Sequence, residues 1–508
     1  MRLWNRFALA LMMWSAFILL PGPPAPQLFA APAPLSGAGV GAAAASPLYL
    51  PLIFKSYQYV PTRRVNAPFV NVADVIATNL PDMAIFWFGK VNQTENYADV
   101  RVGYNNTTLY IYVAAFDRRL WYDTTPSAND LTNWDAMTVY FDKNGNLGSV
   151  PTPNSYRFDV QFDGISGSSP NYRAAYQGNG SGWIPSATAF TTFTTYRGNG
   201  GPNTNNDNRG WVSTFRIPFS SLGLSGPPAQ GAVWGLSVVM HDRDSSSGSP
   251  AIADKTWPEA NMDSLRPATW GQLAFGLPAY SPPAYSSSQT VMIREGSPNG
   301  TVVPDAAVGG TGGNLCGAGL DFWTQWGDTN HGAVADFAIQ NQSDISDFPC
   351  FAKYYVTFPL TAIPVGREII TATLTLHQMG GSGTGCGGTC PPSPALIQIM
   401  TTAEAWNEAS ITWNNAPLAL ENEAGRTWVD TVIGCGDEAP GGIPWPCVPR
   451  TWDVSRAVAQ AYAAGQPLRL VLYTADSAYA TGKYFISSET GDWNATGRPQ
   501  LDVRWGNP

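Results

Sequence analysis

At roughly 100 to 200 residues per domain, 508 residues leave room for two to four domains. Only 13% of them are charged, against about 25% in ordinary soluble proteins, while 51 Gly, 42 Pro, 19 Trp and 21 Tyr suit short strands joined by many turns. A formal charge of -9 gives no general attraction for a phosphate backbone, which makes nucleic acid a poor partner and favours neutral or weakly charged polymers.

The chain opens with Arg2 and Arg6, the apolar run FALALMMWSAFILL and a Pro- and Ala-rich stretch, the three zones of a secretory signal peptide over residues 1–30. Its apolar run falls short of the ~20 residues that a spanning helix needs, which favours cleavage over the competing reading, a retained membrane anchor. No Cys lies nearby to carry a lipoprotein anchor. Residues 31–59 read as a low-complexity linker; within it LYLPLIFKSY (48–57) is either a first strand or an exposed attachment peptide.

Residues 60–280 form a first block of period-two segments. DVRVGYNNTTLYIYVAAFD sets Val100, Val102 and Tyr104 on one face, turns at Asn105-Asn106, and returns with Leu109, Ile111, Val113 and Ala115 on one face. AMTVYFDKNGN and YRFDVQFD repeat the alternation with an Asn-Gly turn, which predicts a β-sandwich. A pyranose offers an apolar face and a polar rim, so a sugar site needs an exposed aromatic plane beside hydrogen-bonding side chains. Trp211 and Trp234 sit inside apolar alternation and read as core, whereas Trp121, Trp134 and Trp257 stand among polar loop residues. Arg243 and Asp244 are placed either to meet hydroxyls or simply to be solvated.

The succession LYIYVAAFD (109–117), NWDAMTVYFDKNGN (133–146), GWVSTFRIPFSSLG (210–223), VWGLSVVMHDRD (233–244) and RPATWGQLAF (266–275) resembles carbohydrate-binding module family 9. The resemblance implies a jelly-roll-like sandwich that holds a sugar between two tryptophans. Trp134 stands at the place of the first, Leu265 at that of the second, and Trp257 is the nearest residue to supply the missing wall.

Asp142, Asp159 and Asp163 raise the question of a glycosidase, but two carboxyls must flank one bond at about 5 to 10 Å, which spacing across strands does not establish. DKNGNLG departs from a calcium loop at Leu147 and Pro153, so calcium lacks a complete motif and a hairpin turn is the simpler reading. The adjacent Met240 and His241 cannot supply opposed axial ligands to a haem. No GxSxG, HExxH or phosphate-loop motif occurs, and no catalytic residue, metal ligand or cofactor is assigned.

LPAYSPPAYSSSQ supplies a second linker, 281–289, before a second block over 290–508. There, KYYVTF alternates Tyr354, Val356 and Phe358 against Tyr355 and Thr357, and DVSRAVAQAYAAG predicts a helix capped by Asp453 or Ser455 and ended by Gly465. EASITWNNAP (408–417) reads as a strand with Ile411 and Trp413 facing the core and Asn414-Asn415 at its exit. The six cysteines all fall in this block; proximity favours Cys316–Cys350, Cys386–Cys390 and Cys435–Cys447, while zinc is disfavoured by the absence of CxxC and the scatter of His241, His331 and His377. FPLTAIPVGREIITATLTLH, AEAWNEASITWNNAP, TWDVSRAVAQAYAAG and KYFISSETGDWNATGRPQLDVRW resemble the DNRLRE-type domain, also grouped with carbohydrate-binding module family 96. That resemblance implies a secreted accessory β-sandwich.

The sequence thus predicts an all-β chain, with two jelly-roll-like sandwiches in tandem after a signal peptide and flexible linker. Its expected role is a secreted or cell-surface non-catalytic protein that binds a polysaccharide or cell-surface glycan through Trp134, Trp257, Trp121 and Arg243. No membrane span would remain after signal cleavage, and the oligomeric state is open. A structural or adhesive cell-surface protein, or an accessory part of a glycan-degrading enzyme, is the alternative.

Overall fold

Period-two alternation becomes paired strand almost throughout. The computed structural model describes residues 62–508 except 165, 168, 260, 277–278, 311–315, 382–388, 433 and 436–441. The expected signal peptide, the 31–59 linker and the 48–57 peptide lie outside the described residues. Among the described residues the only α-helix is α1 (Ser455–Ala463); all other helical pieces are short 3-10 turns.

In the first block, β1 (Arg64–Ala67), β2 (Ala84–Gly89), β3 (Tyr97–Tyr104), β4 (Thr108–Phe116), β5 (Ala136–Asp142) and β6 (Ser155–Gln161) open the chain order. β3 and β4 form the expected hairpin, with Tyr104 opposite Leu109 and the Asn105 side chain accepting from the Thr107 and Thr108 amides at 2.9 Å each. One sheet runs β2-β3-β4 and on through Asn208–Pro218 and Thr191–Gly198. The other runs from β1 through Gly271–Phe275, Val233–His241, β5 and β6 to Arg173–Gly178 and Trp183–Pro185. Between them lies a core of Val100, Val113, Val139, Phe158, Phe215 and Leu236 with their neighbours, Trp211 and Trp234 among them as expected.

The second block is built the same way. Ser286–Arg294, Gln500–Asn507, Glu368–Gly381, Lys483–Ile486 and Asp336–Ile339 make one sheet. The other contains Asp305–Gly309, Ala352–Phe358, Leu468–Thr474, Ala395–Thr402 and Ala419–Val429. The strand Ser286–Arg294 starts inside the segment read as the 281–289 linker. The N-cap of α1 is Val454 rather than the expected Asp453 or Ser455, with Asp453 just ahead of it accepting from the Ser455 amide at 2.9 Å, and Gly465, with φ +64°, follows its end. The disulfides Cys316–Cys350 and Cys435–Cys447 form; Cys390 is disulfide-bonded, and its expected partner Cys386 lies outside the described residues.

Strand β1 joins the blocks. It pairs in parallel with Gly271–Phe275 and, at Arg64 opposite Glu421, with Ala419–Val429, so one sheet runs on from one sandwich into the next. Arg63 binds Glu259 of the first block and, in the second, Glu404 at 3.0 Å and the Ala419 carbonyl at 3.0 Å. The Asn66 amide donates to Asn422 Oδ1 at 2.6 Å.

The outer face of the β2-β3-β4 sheet is also covered. Ile85, Trp87, Tyr97 and Phe116 pack against Phe351, Tyr355, Trp413 and Tyr473 of the second block. At its centre Lys353 is fully buried, its Nζ 3.6 Å from the Trp413 ring centroid and 4.2 Å from that of Trp87. It donates to Tyr97 Oη at 2.6 Å, which donates to Asp99 Oδ1 at 2.6 Å. Burial pushes the ammonium well below its ordinary pKa, against the opposing pull of Asp99. Here one expectation fails. The EASITWNNAP segment is a series of turns rather than a strand, and Trp413, though buried, packs into this core between the sandwiches.

Candidate functional site

Alternation along a strand leaves one face for the core and one for something else. In β5, Met137, Val139 and Phe141 enter the first core, which puts Thr138 and Tyr140 on the opposite face. In β6, Phe158 and Val160 go inward, leaving Arg157 and Asp159 outside; in Val233–His241 the outer face carries Val239 and His241. These side chains share one sheet face, with the loop before Gly271 at its edge.

The face holds a ladder of polar groups. Arg157 grips Asp159 as a fork, Nε to Oδ1 at 2.9 Å and Nη2 to Oδ2 at 2.7 Å, and its guanidinium lies 4.9 Å over the Tyr176 ring. Burial is the largest single influence and lowers the Arg157 pKa, but Asp159, Tyr140 and Tyr176 together raise it above its ordinary value. Thr138 Oγ1 donates to Asp159 Oδ1 at 2.8 Å, which leaves it to accept from His241 Nε2 at 2.9 Å. His241 Nδ1 lies 3.0 Å from Asp254 Oδ2, a half-exposed carboxylate at the rim.

Beside this ladder stands an aromatic stack. Trp183 and Trp270 are parallel within 8° with centroids 6.3 Å apart, and Tyr140 leans on both at 5.6 and 5.4 Å. Trp270 and Tyr140 are buried, and Trp183 is the half-buried outer leaf. The loop backbone fixes both indoles: Trp270 Nε1 donates to the Asp263 carbonyl at 2.8 Å and Trp183 Nε1 to that of Ser264 at 3.2 Å. Leu265, 45% exposed, follows directly. Tyr176 borders a groove of about 380 Å³ whose lining includes Asn129, Arg173 and Pro185. An indole leaf next to a fixed Arg–Asp fork offers both surfaces that a sugar ring requires.

The residues singled out in the sequence lie elsewhere. Trp257 is 1% exposed, its ring 4.4 Å from Phe86 and seated on Gly271, where a Cβ would stand 2.6 Å from the indole. It is a core residue that presents no face to solvent, because its short strand Lys255–Trp257 turns it inward against β2. Trp121 is 9% exposed, and its amide donates to Asp135 Oδ2 at 2.6 Å. Trp134 is half-buried with the Arg243 guanidinium 3.9 Å over its ring. Each guanidinium nitrogen of Arg243 donates to a backbone carbonyl, those of Ser245, Asn133 and Ser246. Trp134 and Arg243 therefore clasp two loops, and Trp134 and Trp257 do not face each other across an open cleft.

Under that clasp four carboxylates gather. Asp117, Asp242 and Asp244 bring oxygens within 4.8 Å of one another, and Asp135 accepts from the Trp121 and Arg243 amides beside them. Burial, then the neighbouring carboxylates, push Asp117 and Asp135 well above the usual range and Asp242 up to about 8. Asp242 Oδ1 is buried without a hydrogen-bond partner. Such an all-oxygen set has the donor chemistry of a hard divalent cation site. Asp142 and Asp163, weighed as glycosidase carboxyls, are engaged separately: Asp142 with the Asn144 amide and Ser155, Asp163 with Thr194.

Sequence reading missed Arg157, Trp183 and Tyr176. The signal was present in YRFDVQFD, where Arg157 and Asp159 share the outward face of a strand.

Residues 322–433 match the family model of carbohydrate-binding module family 96. No curated protein matches the chain. Among solved structures the chain is similar to a carbohydrate-binding module family 9 from Caldicellulosiruptor kristjanssonii in complex with cellotriose, at 14% identity and a TM-score of 0.30, covering 43% of this chain and 95% of that one. It is likewise similar to a family 9 module from the same organism in complex with glucose, at 14% identity and a TM-score of 0.29, covering 44% of this chain and all of the other.

Proposed function

We propose that the chain is a secreted, non-catalytic carbohydrate-binding protein whose first sandwich takes a neutral sugar on the outer face of β5 and β6. The observation that carries this is the Arg157–Asp159 fork set beside the Trp183–Trp270–Tyr140 stack. In this reading Trp183 meets the CH face of a pyranose, and Arg157 Nη1, which makes no hydrogen bond among the described residues, meets vicinal hydroxyls. His241 and Asp254 extend the polar rim. The family 96 match over residues 322–433 supports a carbohydrate-related role for the second sandwich. Disulfides in the second block fit an oxidising, extracellular compartment.

Affinity electrophoresis of the protein through gels containing β-glucan, xylan or alginate tests the reading. Retardation that drops about tenfold in Arg157→Lys, which keeps the charge beside Asp159 and removes the planar fork, is the expected result. A second reading, a structural cell-surface protein, draws on the large buried junction between the sandwiches. It is the one to adopt if no polysaccharide retards the protein.

A further inference from the structure

Trp493 leaves 69% of its surface in water, the most exposed tryptophan among the described residues, yet its indole is held in place. It is the second residue of the turn Asp492–Gly497 between the last two strands of the second sandwich. Gly491 makes the seat: a Cβ there would come 2.8 Å from the indole Cδ1 and 2.9 Å from Nε1, so the ring can lie down only over glycine. Trp445 buttresses it edge to face, with centroids 5.0 Å apart at 88°. Trp445 is itself fixed between Pro444 and Pro446, two residues before Cys447, which is bonded to Cys435. Arg498 donates to the Thr490 carbonyl at 2.7 Å and pairs with the exposed Asp492 at 2.8 Å, which ties both ends of the turn together beside the ring.

An exposed indole normally costs solubility and has freedom to collapse onto the surface. Here the Gly491 seat and the edge of Trp445 set its orientation. We infer that Trp493 and Trp445, with Asp492 and Arg498, form a second glycan-binding platform, on the second sandwich, for the apolar face of a neutral β-linked hexose or pentose chain. The Trp493 face takes the ring CH groups, and the Asp492–Arg498 pair supplies an acceptor and a donor to adjacent hydroxyls. The platform lies outside residues 322–433, and Trp445 belongs to a cysteine-closed loop. The inference deepens the glycan-binding reading and rests on it, while using none of the residues of the first site.

The test is affinity electrophoresis of the full chain in soluble mixed-linkage β-glucan, xylan and alginate, for wild type, Arg157→Lys, Trp493→Ala, Gly491→Ala and the Arg157→Lys/Trp493→Ala pair. Residual retardation of Arg157→Lys on a neutral glucan or xylan that falls at least fivefold when Trp493→Ala is added is the expected result. Gly491→Ala, which unseats the ring without removing it, should reproduce the loss of Trp493→Ala with an unchanged Tm. Retardation unaffected by Trp493→Ala in both backgrounds overturns the platform and leaves the first site standing. The converse, loss with Trp493→Ala and none with Arg157→Lys, overturns the first site alone. Retardation in alginate only overturns the neutral class, and a wild type that no gel retards overturns both sites. A change of oligomeric state on size exclusion in Trp493→Ala, without a change in retardation, would make the patch a contact between copies and overturns it too.

Discussion

Among the places where this molecule sets a cation on an aromatic ring, the surroundings of Lys353 and of Arg157 form a pair, one sealed and one open. Lys353 sits among Trp413, Trp87, Tyr97 and Tyr473, sealed by the packing of one sandwich on the other. Arg157 lies over Tyr176 near Trp183, on a sheet face outside the core shared with the second block among the described residues. Their chemistry is similar; their exposure differs. The Lys353 cage is fully buried, and its ammonium donates to Tyr97. Arg157 keeps donor capacity and has a half-buried indole as neighbour. Similar composition around the two cations thus goes with opposite access to solvent.

The largest expected effect attacks the sealed side. Trp413→Ala and Trp257→Ala each empty an indole-sized volume from a core, at a cost of about 3 to 5 kcal/mol, read as a lowered denaturant midpoint with glycan retardation preserved. Trp257→Ala abolishing retardation at unchanged stability would restore that residue to the site.

Next comes the open side. Arg157→Lys and Trp183→Ala should each weaken glycan binding about tenfold, or ~1.4 kcal/mol, with modest change in Tm. A smaller expected effect concerns the acidic cluster. If oxygens of Asp117, Asp242 and Asp244 take a calcium ion, added calcium raises Tm by a few degrees over a chelator-treated sample, and Asp242→Asn removes that increment. An identical Tm in calcium and chelator would leave the cluster to be held by protonation and the nearby arginines.

The last effect is one of pH. Burial pushes the Asp305 carboxyl up to about 7, opposed by hydrogen bonds from Tyr354 and Ser488. The folded state therefore holds a proton that the unfolded chain releases near pH 4, and the contribution to stability present below that pH is lost as pH rises through 7. Unfolding midpoints should fall between pH 4.5 and 7.5 in the wild type and fall less in Asp305→Asn. A slope that is the same in both proteins would remove Asp305 as its source.

Much of the fold could be read along single strands. Alternation placed Val100, Val102, Leu109 and Ile111 in the core and found the β3–β4 hairpin, because which face a residue occupies is a local property. What escaped depends on contacts between residues far apart. Tyr355 and Trp413 read as members of one sandwich, yet they pack on Trp87 and Tyr97, more than 250 positions away, a contact that no periodicity encodes. The site was missed for a related reason. Trp257 and Trp121 stand among polar neighbours in sequence, but a short strand and a loop turn them inward, while Arg157 sits in a strand that reads as ordinary. Polar neighbours in sequence report on the backbone's exposure, and the side chain's direction follows from pairing.

The central claim is that the open Arg157 face binds glycan and the sealed tryptophans hold the fold. Isothermal titration of one soluble β-glucan oligosaccharide into wild type, Arg157→Lys and Trp257→Ala, with the Tm of each, tests it most directly. The account expects Arg157→Lys to keep its Tm and lose about tenfold in Kd, and Trp257→Ala to lose Tm and keep its Kd. The reverse pattern, with Arg157→Lys binding as wild type and folded Trp257→Ala binding nothing, would contradict it.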